Sequence, residues 1–339
     1  METLSISEVN CPTWISGYFP MQCIYVIRYT SSMLGKAHSA SYAVESFQSL
    51  YLKTYYPLEF MVAVINNFGG FYSTRVYINE AKKAGGTLHL PCVNNSTHLT
   101  TLYGTDVYLG FIHIKSLEHA ISEIIEQERN NNGNYINLED FILRTRIGIE
   151  SLITLIRINA LRFTGKSKRQ LLWEAHMLFD KEKAKRNALA ISMFSDDTPE
   201  WDIPQLVENK VSDVYDELEL LEFPVSMSSF ELLKSDYRGE CMAKDLMSHI
   251  GETIRMVGSY VTYKGVRTVK GDLMAFGTFL DEDGHFFDTT HFPPSLKTYP
   301  FTGGGVYLIL GKVVEEFGFP SIEVEKMGRM GYKKNPISE

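Results

Sequence analysis

The sequence is poor in the features that mark secreted, membrane-spanning or zinc-stabilised proteins. It has 4 cysteines in 339 residues and none forms a C-x-x-C pair, so neither a zinc ribbon nor a disulfide framework is indicated. Charge interrupts the apolar stretches well short of the roughly 20 residues that a membrane span needs. The N-terminus lacks a signal-peptide pattern. We therefore expect a cytoplasmic protein without a membrane partner.

The motifs of a self-contained active site are missing as well. There is no G-x-x-x-x-G-K-[ST] phosphate loop and no G-x-S-x-G elbow. Nucleotidyl transfer needs two or three carboxylates around a metal pair on a rigid strand. The dense acid clusters fall instead in a predicted linker or turn: 196–197, 216–217 and 281–283. His285, Asp288 and His291 would alternate between the faces of a strand. We expect no catalytic residue, metal site or cofactor in this chain.

Hydrophobic periodicity predicts an α+β multidomain protein. Spacings of three and four from Ala43 to Tyr51 indicate a helix that ends before Pro57. Further helices are predicted up to residue 178, with a short strand and a hairpin between 88 and 114. After residue 250, five strand-like runs separated by Gly, Pro and Asp turns predict a closed, OB-like barrel. A helical body thus precedes a β-rich tail.

Charge is strongly segregated within a net charge of −8. From Arg157 to Arg186 nine basic residues face three acidic ones, whereas from Asp196 to Glu222 ten acidic residues face the single Lys210. The basic block would suit phosphates and the acidic block a linker or a protein-docking surface. Alternatively, the two blocks are solvated faces that pair with each other.

Two segments have the pattern of helix–turn–helix hairpins that offer backbone amides to a phosphate. The first centres on Lys115 and Ser116, where Ser116 and Glu118 occupy positions at which tight hairpins favour glycine. The second ends in Gly165-Lys166-Ser167 ahead of a helix N-terminus. The predicted DNA contacts are Lys115, Ser116, Arg162, Gly165, Lys166, Ser167, Lys168 and Arg169. The alternative for the second segment is a plain solvated helix start.

The barrel carries aromatic residues that could stack unpaired bases and basic residues that could hold the backbone. The predicted single-strand contacts are Tyr260, Tyr263, Lys264, Arg267 and Phe286. About half of the aromatic side chains are expected to belong to the barrel core.

Several of these segments resemble the C-terminal part of bacterial C-family DNA polymerases, the DNA polymerase III alpha subunits, and error-prone forms above all. The fingers segment of that family is similar to "KAHSASYAVESFQSLYLKTYYPLEFMVAVINN" (36–67), with its S/A-H-S-x-x-YA and YLK-x-x-YP-x-EF patterns. Its tandem helix–hairpin–helix region resembles "NGNYINLEDFILR" (132–144) and "LIRINALRFTGKSKRQLLWEA". Its L-P-P-D-V-N-x-S strand corresponds to "LPCVNNS" (90–96), and the approach to its OB domain to "ELLEFPVS" (219–226).

The resemblance implies a DNA-binding portion of such a polymerase, active in replication or lesion-tolerant synthesis. It implies that Lys36, His38 and Ser39 face the incoming nucleotide or primer–template. A capped helix with a solvated lysine is the alternative. The implied domains are an unassigned segment 1–35, a fingers-like segment 36–89, a hairpin with tandem helix–hairpin–helix units 90–180, an acidic linker with helices 181–250, and an OB-fold 251–332.

The family's palm, with the carboxylates that bind Mg²⁺ in the complete polymerase, has no counterpart in the sequence. We therefore expect no DNA synthesis by this chain alone. A truncated or frame-shifted gene product and a separately encoded partial subunit both fit. A different class of function is also open: a protein-interaction module that docks a sliding clamp or a complementary polymerase polypeptide through the barrel and the acidic linker.

Overall fold

The computed structural model describes residues 36–68, 70–187 and 209–336. Contacts divide the chain into two compact units. For the described residues, the helical unit falls within residues 58–236 and 330–339, and the barrel unit within residues 1–57 and 237–329. Each unit has its own hydrophobic core.

Helices make up most of the helical unit, and local chemistry explains where several of them begin. Pro57 occupies the first position of its helix, where a missing amide hydrogen costs nothing. Asn137 caps α5 by accepting a hydrogen bond from the amide of Asp140. The helices are α2 (Pro57–Asn66), α3 (Thr74–Lys83), α4 (His119–Asn132), α5 (Leu138–Thr145), α6 (Ile149–Arg157), α7 (Lys168–Asn187) and α8 (Lys210–Leu221), after α1 (Lys36–Tyr55) of the barrel unit.

A small three-stranded sheet follows α3. Its strands are β1 (Thr87–His89), β2 (Thr101–Tyr103) and β3 (Asp106–Tyr108), in the order β1-β3-β2. β2 and β3 form the predicted hairpin, and β1 pairs with β3 in parallel. The central residue of β3, Val107, is fully buried. One face of the sheet therefore packs inward and the other carries polar and aromatic side chains.

Helix α8, which lies in the acidic block, belongs to the core of the helical unit. Its Leu220 and Leu221 are buried in the same cluster as Leu155 and Ile156 of α6. The Glu217 carboxylate is also buried, and it accepts hydrogen bonds from the amides of Val225 (2.6 Å) and Ser226 (3.0 Å). The described part of the acidic block is a packed helix.

The barrel unit contains the five predicted strands, closed in the order β4-β5-β6-β8-β7. They are β4 (Thr253–Arg267), β5 (Leu273–Leu280), β6 (Phe286–His291), β7 (Val306–Glu316) and β8 (Phe319–Arg329), with α9 (Pro293–Thr298) between β6 and β7. The pairs are antiparallel except for the parallel pair β6–β8. This is an OB-like Greek-key barrel.

The barrel core is dominated by aromatic rings and is closely packed. The rings of Phe279 and Phe287 stack with centroids 5.7 Å apart. At Gly258 an added Cβ would meet the Phe287 ring at 2.5 Å, so glycine is required for this approach. The α+β class, the helical body and the five-stranded barrel predicted from the sequence are confirmed. The five domain limits stay predictions.

Candidate nucleic-acid interface

The first predicted hairpin adopts a turn that presents the start of α4. Ser116 lies in the left-handed region (φ 64°), Leu117 follows, and Glu118 is extended (φ −67°, ψ 143°) just before the helix. The side chain of Glu118 caps no amide. The expectation that Ser116 occupies a glycine-like position is confirmed. Glu118 has an ordinary negative φ, so its backbone angle does not require glycine, and the preference for glycine at this position stays a prediction.

The same turn recurs between α5 and α6. Arg146 is left-handed (φ 51°), Ile147 is buried, and Gly148 is extended (φ −68°, ψ 157°) before α6, again without a side-chain cap. Uncapped helix starts leave backbone amides available to an anion. The turn that repeats the first hairpin is therefore the one at 145–149. Sequence reasoning missed it because Arg146 stands where a glycine would signal the motif.

The turn predicted as the second hairpin has a different geometry. Gly165 is left-handed (φ 69°), as its place before a helix suggested. Ser167 and Gln170 then form a reciprocal capping box: the Gln170 amide donates to Ser167 Oγ (3.2 Å) and the Ser167 amide to Gln170 Oε1 (3.0 Å). Some of the amides that a phosphate would use at this helix are thus already satisfied.

Most cations of the predicted DNA contacts are engaged within the chain. Lys168 Nζ lies 2.8 Å from a carboxylate oxygen of Asp213, and Lys166 Nζ lies 2.7 Å from one of Glu174. Arg162 donates to the carbonyls of Pro91 and Leu90 (2.8 and 2.9 Å).

Of the two remaining predicted cations, Lys115 is paired with a carboxylate and Arg169, within the described ranges, is not. Lys115 Nζ lies 2.5 Å from a Glu222 oxygen. Among the residues that the structure describes, Arg169 has no carboxylate partner, and neither does the exposed Arg146. The roles predicted for Lys115, Ser116, Arg162, Gly165, Lys166, Ser167, Lys168 and Arg169 stay predictions.

The described parts of the basic and acidic blocks pair with each other, as the alternative interpretation expected, but the acidic partner is a packed helix and not a solvated face. Arg157 donates from Nε to Asp216 (2.8 Å) and from Nη2 to Glu219 (2.5 Å). Its hydrogen bond to Glu219 is the main cause of a raised Arg157 pKa, and the same bond lowers the pKa of Glu219. Part of the positive charge counted along the sequence is therefore neutralised by α8.

Aromatic rings extend from the barrel core to its surface. Tyr263 is half exposed and stacks on Phe301 with centroids 4.7 Å apart and an interplanar angle of 11°. Phe301 in turn lies parallel to the buried Phe279. An unpaired base on the outer face of Tyr263 would continue this stack.

The other predicted single-strand residues differ in exposure. Tyr260 is half-buried and packs against Phe279 and Tyr307 of the core, and burial raises its pKa. Lys264 and Arg267 are exposed, and Arg267 donates to the carbonyl of Gly271. Phe286 is half-buried. The contacts with a single strand predicted for these residues and for Tyr263 stay predictions.

The turn between β7 and β8 presents an aromatic residue that sequence reasoning missed. Phe317 is 95% exposed and left-handed (φ 53°), and Gly318 follows with φ 81°. Two consecutive positive φ values define a type I′ hairpin turn, in which Phe is unusual. The loop between the fourth and fifth strands is one of the ligand-binding loops of OB barrels. The F-G dipeptide between two strand patterns was the available signal.

Three further expectations concern α1, metals and membranes. Lys36, His38 and Ser39 fall in the first turn of α1, and their side chains lie outside what the structure describes. Within the described ranges, no group of three or more His, Cys, Asp and Glu side chains is arranged to hold a metal ion. No described helix is long and apolar enough to span a bilayer.

The helix–hairpin–helix assignment is supported by a family model, described as "Helix-hairpin-helix motif", which matches residues 85–171. This segment contains the repeated turns at 116–118 and 146–148 and also the turn at 165–167. Among solved structures, the second OB-fold domain of replication protein A from Methanococcus maripaludis matches 25% of this chain and 89% of its own length, at 14% identity and a TM-score of 0.18. The barrel assignment rests on strand order instead.

The resemblance to C-family DNA polymerases is confirmed by curated relatives. DNA polymerase III subunit alpha of Staphylococcus epidermidis is 24% identical over 294 residues, which cover 85% of this chain and 27% of the relative. Error-prone DNA polymerases of Mycobacterium bovis and Bdellovibrio bacteriovorus are 32% and 31% identical over 41% and 42% of this chain, and 13% and 14% of their own lengths. The chain is thus similar to a part of these polymerases. Its match covers 27% of the length of the S. epidermidis subunit.

Proposed function

We propose that this chain is a DNA-binding portion of a C-family polymerase that serves DNA replication or lesion-tolerant synthesis in the cytoplasm. The observation that carries the proposal is the repeated turn at 116–118 and 146–148, which opens two uncapped helices inside the matched helix–hairpin–helix segment. Each helix start offers amides to the phosphate backbone, and the barrel offers aromatic rings to an unpaired strand.

Salt dependence tests the phosphate contacts. For the full chain and primed DNA, the logarithm of the association constant should fall linearly with the logarithm of the salt concentration. The slope should be roughly −0.9 per neutralised phosphate. Arg146→Asn removes a charge while keeping a residue that tolerates a left-handed backbone. We expect this variant, and Arg169→Gln, to flatten the slope by about one unit each.

Lys168→Gln is the matched control, because Lys168 already pairs with Asp213. We expect it to leave the slope nearly unchanged. A slope that stays the same in the Arg146 and Arg169 variants, or the absence of salt-dependent binding in the native chain, would contradict the proposal.

We further propose that the chain binds DNA without a metal ion and does not synthesise DNA by itself. Chelation with EDTA should leave its affinity for primed DNA unchanged. Template-dependent incorporation of nucleotides by the purified chain with Mg²⁺ would overturn the second part.

A complementary polymerase polypeptide is the partner that α1 favours. Phe47, Tyr51 and Tyr55 recur along one face of this helix and are 72%, 56% and 66% exposed. Large exposed apolar faces mark interaction sites. We expect the chain to form a complex with a polypeptide carrying the part of the S. epidermidis subunit that it does not span, and Phe47→Ser to weaken it. The described carboxylates of α8 are largely engaged within the chain, which leaves less free charge for docking a sliding clamp.

A further inference from the structure

An open cleft in the helical unit lies on the outward face of the small sheet. Each of the three strands has an apolar residue between two polar or aromatic ones, in the sequences TLH, TLY and DVY. Because strand residues alternate between faces, this pattern turns the central residues, of which Val107 is fully buried, to the inner face and places the flanking ones together. The cleft has a volume of about 450 Å³ and is lined by Asn94, Asn95, Tyr103, Asp106, Tyr108, Arg129 and Asn130.

Two tyrosines form its aromatic wall. Tyr103 and Tyr108 lie on neighbouring strands, with ring centroids 6.0 Å apart and planes at 69°. Tyr108 is held from behind by His89, which stacks on it at 4.6 Å and hydrogen-bonds Asp106 (2.8 Å). Tyr103 is 56% exposed, so its side chain is accessible to a ligand.

The polar wall is fixed by hydrogen bonds that leave two carboxamides uncommitted. Arg129 Nη1 donates to the carbonyls of Val93 (2.7 Å) and Ser96 (2.8 Å), which holds the turn that carries Asn95 against α4. Asn94 is engaged with the backbone of Tyr135. In the described part of the chain, the side-chain amides of Asn95 and Asn130 have no hydrogen-bond partner.

These groups match a nucleobase better than a phosphate. A planar base can stack on tyrosine, and a carboxamide offers both a donor and an acceptor to a base edge. Among the residues that line the cleft, Arg129 already uses its Nη1 to donate to two carbonyl oxygens, and the Asp106 carboxylate repels a polyanion. We propose that this cleft binds an unpaired nucleobase, by stacking on Tyr103 and hydrogen bonding to Asn95 and Asn130. The inference rests on the proposed function, since it adds a base contact to a DNA-binding chain.

Photocrosslinking of the full chain tests where a base lies. A single-stranded oligonucleotide containing 5-iodouracil would be irradiated with the protein and the adducts mapped by mass spectrometry. We expect adducts on Tyr103 or Tyr108, in addition to any on Tyr263 of the barrel. Adducts confined to the barrel would overturn the inference while leaving the proposed function standing.

Affinity measurements separate stacking from backbone binding. Tyr103→Ala should weaken single-strand binding about five- to hundredfold, the usual range for one stacked base, whereas Tyr103→Phe should retain it. An oligonucleotide of the same length with abasic sites should bind the native chain and Tyr103→Ala equally. If Tyr103→Ala lost affinity equally for both oligonucleotides, or lost none for either, the proposed base contact in the cleft would be overturned.

Two controls distinguish the remaining outcomes. Competition by free nucleoside triphosphates tells whether the base must belong to a strand: efficient competition would assign the cleft to free nucleotides. Tyr263→Ala reports the barrel contact independently. If no oligonucleotide binds to the native chain, the proposed function fails together with the cleft.

Discussion

In the helical unit the cations near the predicted phosphate sites are mostly paired with carboxylates, whereas in the barrel unit the turn between β7 and β8 presents an exposed aromatic ring. Lys168 is 13% exposed and faces Asp213, while Phe317 is 95% exposed. A paired cation contributes less to polyanion binding, because its charge is already compensated. The contrast teaches that, over the described ranges, the helical unit would bind DNA largely through helix starts and through arginines without a carboxylate partner there, and the barrel through stacking.

The largest change in stability is expected in the helical unit, because the packing of α8 depends on the buried carboxylate of Glu217. Glu217→Ala leaves the amides of Val225 and Ser226 without an acceptor and should lower the free energy of unfolding by about 4 kcal/mol. Glu219→Ala, on the exposed side of α8, should cost less than about 1 kcal/mol. Hydrogen exchange of backbone amides would report each unit separately. Equal losses for the two variants would break the view of α8 as a core helix.

Acid should destabilise both units in the same pH window. Burial lowers the pKa of His113 in the helical unit and of His291 in the barrel to about 4. Their pKa in the unfolded chain is near 6.5, so the unfolded state binds more protons between these values and stability falls as pH drops from about 6.5 to 4. Each histidine should account for about 3 kcal/mol over that window.

The measurement is the difference between native and variant chains, because carboxylates titrate nearby. His113→Asn should flatten the pH dependence of the helical unit only, and His291→Gln that of the barrel only. If either variant changed both units equally, the two would not be independent cooperative units.

A smaller effect is expected from overpacking the barrel core. Gly258→Ala places a methyl group against the Phe287 ring and should cost about 2 kcal/mol. At Gly265 the nearest atom to an added Cβ is 3.6 Å away, so Gly265→Ala on the same strand should be almost neutral. Exchange protection of the barrel amides distinguishes the two variants. A neutral Gly258→Ala would mean that the aromatic core is looser than the structure shows.

The smallest effect concerns a surface ion pair. Lys166 contacts Glu174 but is 46% exposed, so Lys166→Ala should change the free energy of unfolding by less than about 1 kcal/mol. High salt should remove even this difference. If Lys166→Ala lowered the free energy of unfolding by about 2 kcal/mol or more, the ion pair would have a structural role. The contrast between paired cations in the helical unit and the exposed aromatic ring of the barrel would then be sharper.

The elements with strong local signals were predictable. Asn137 starts α5 as its sequence indicates, and all five barrel strands appear between the expected turns. The periodicity of apolar residues and the chemistry of helix capping involve residues that are close in the sequence. Both signals can therefore be read from a single sequence. The second hairpin was missed, because Arg146 takes the left-handed C-cap position of α5, where a glycine would have signalled the turn.

The sequence by itself determined the succession of elements, the segregation of charge and the resemblance to C-family polymerases. Tertiary structure decided which charges are compensated. Lys168 and Arg157 form ion pairs with carboxylates of α8, which lie more than forty residues away in the sequence. It also decided that His89, Tyr103 and Tyr108 share one face with Asn95. Pairing and clefts depend on contacts between distant residues, and a linear pattern lists side chains without showing which of them meet.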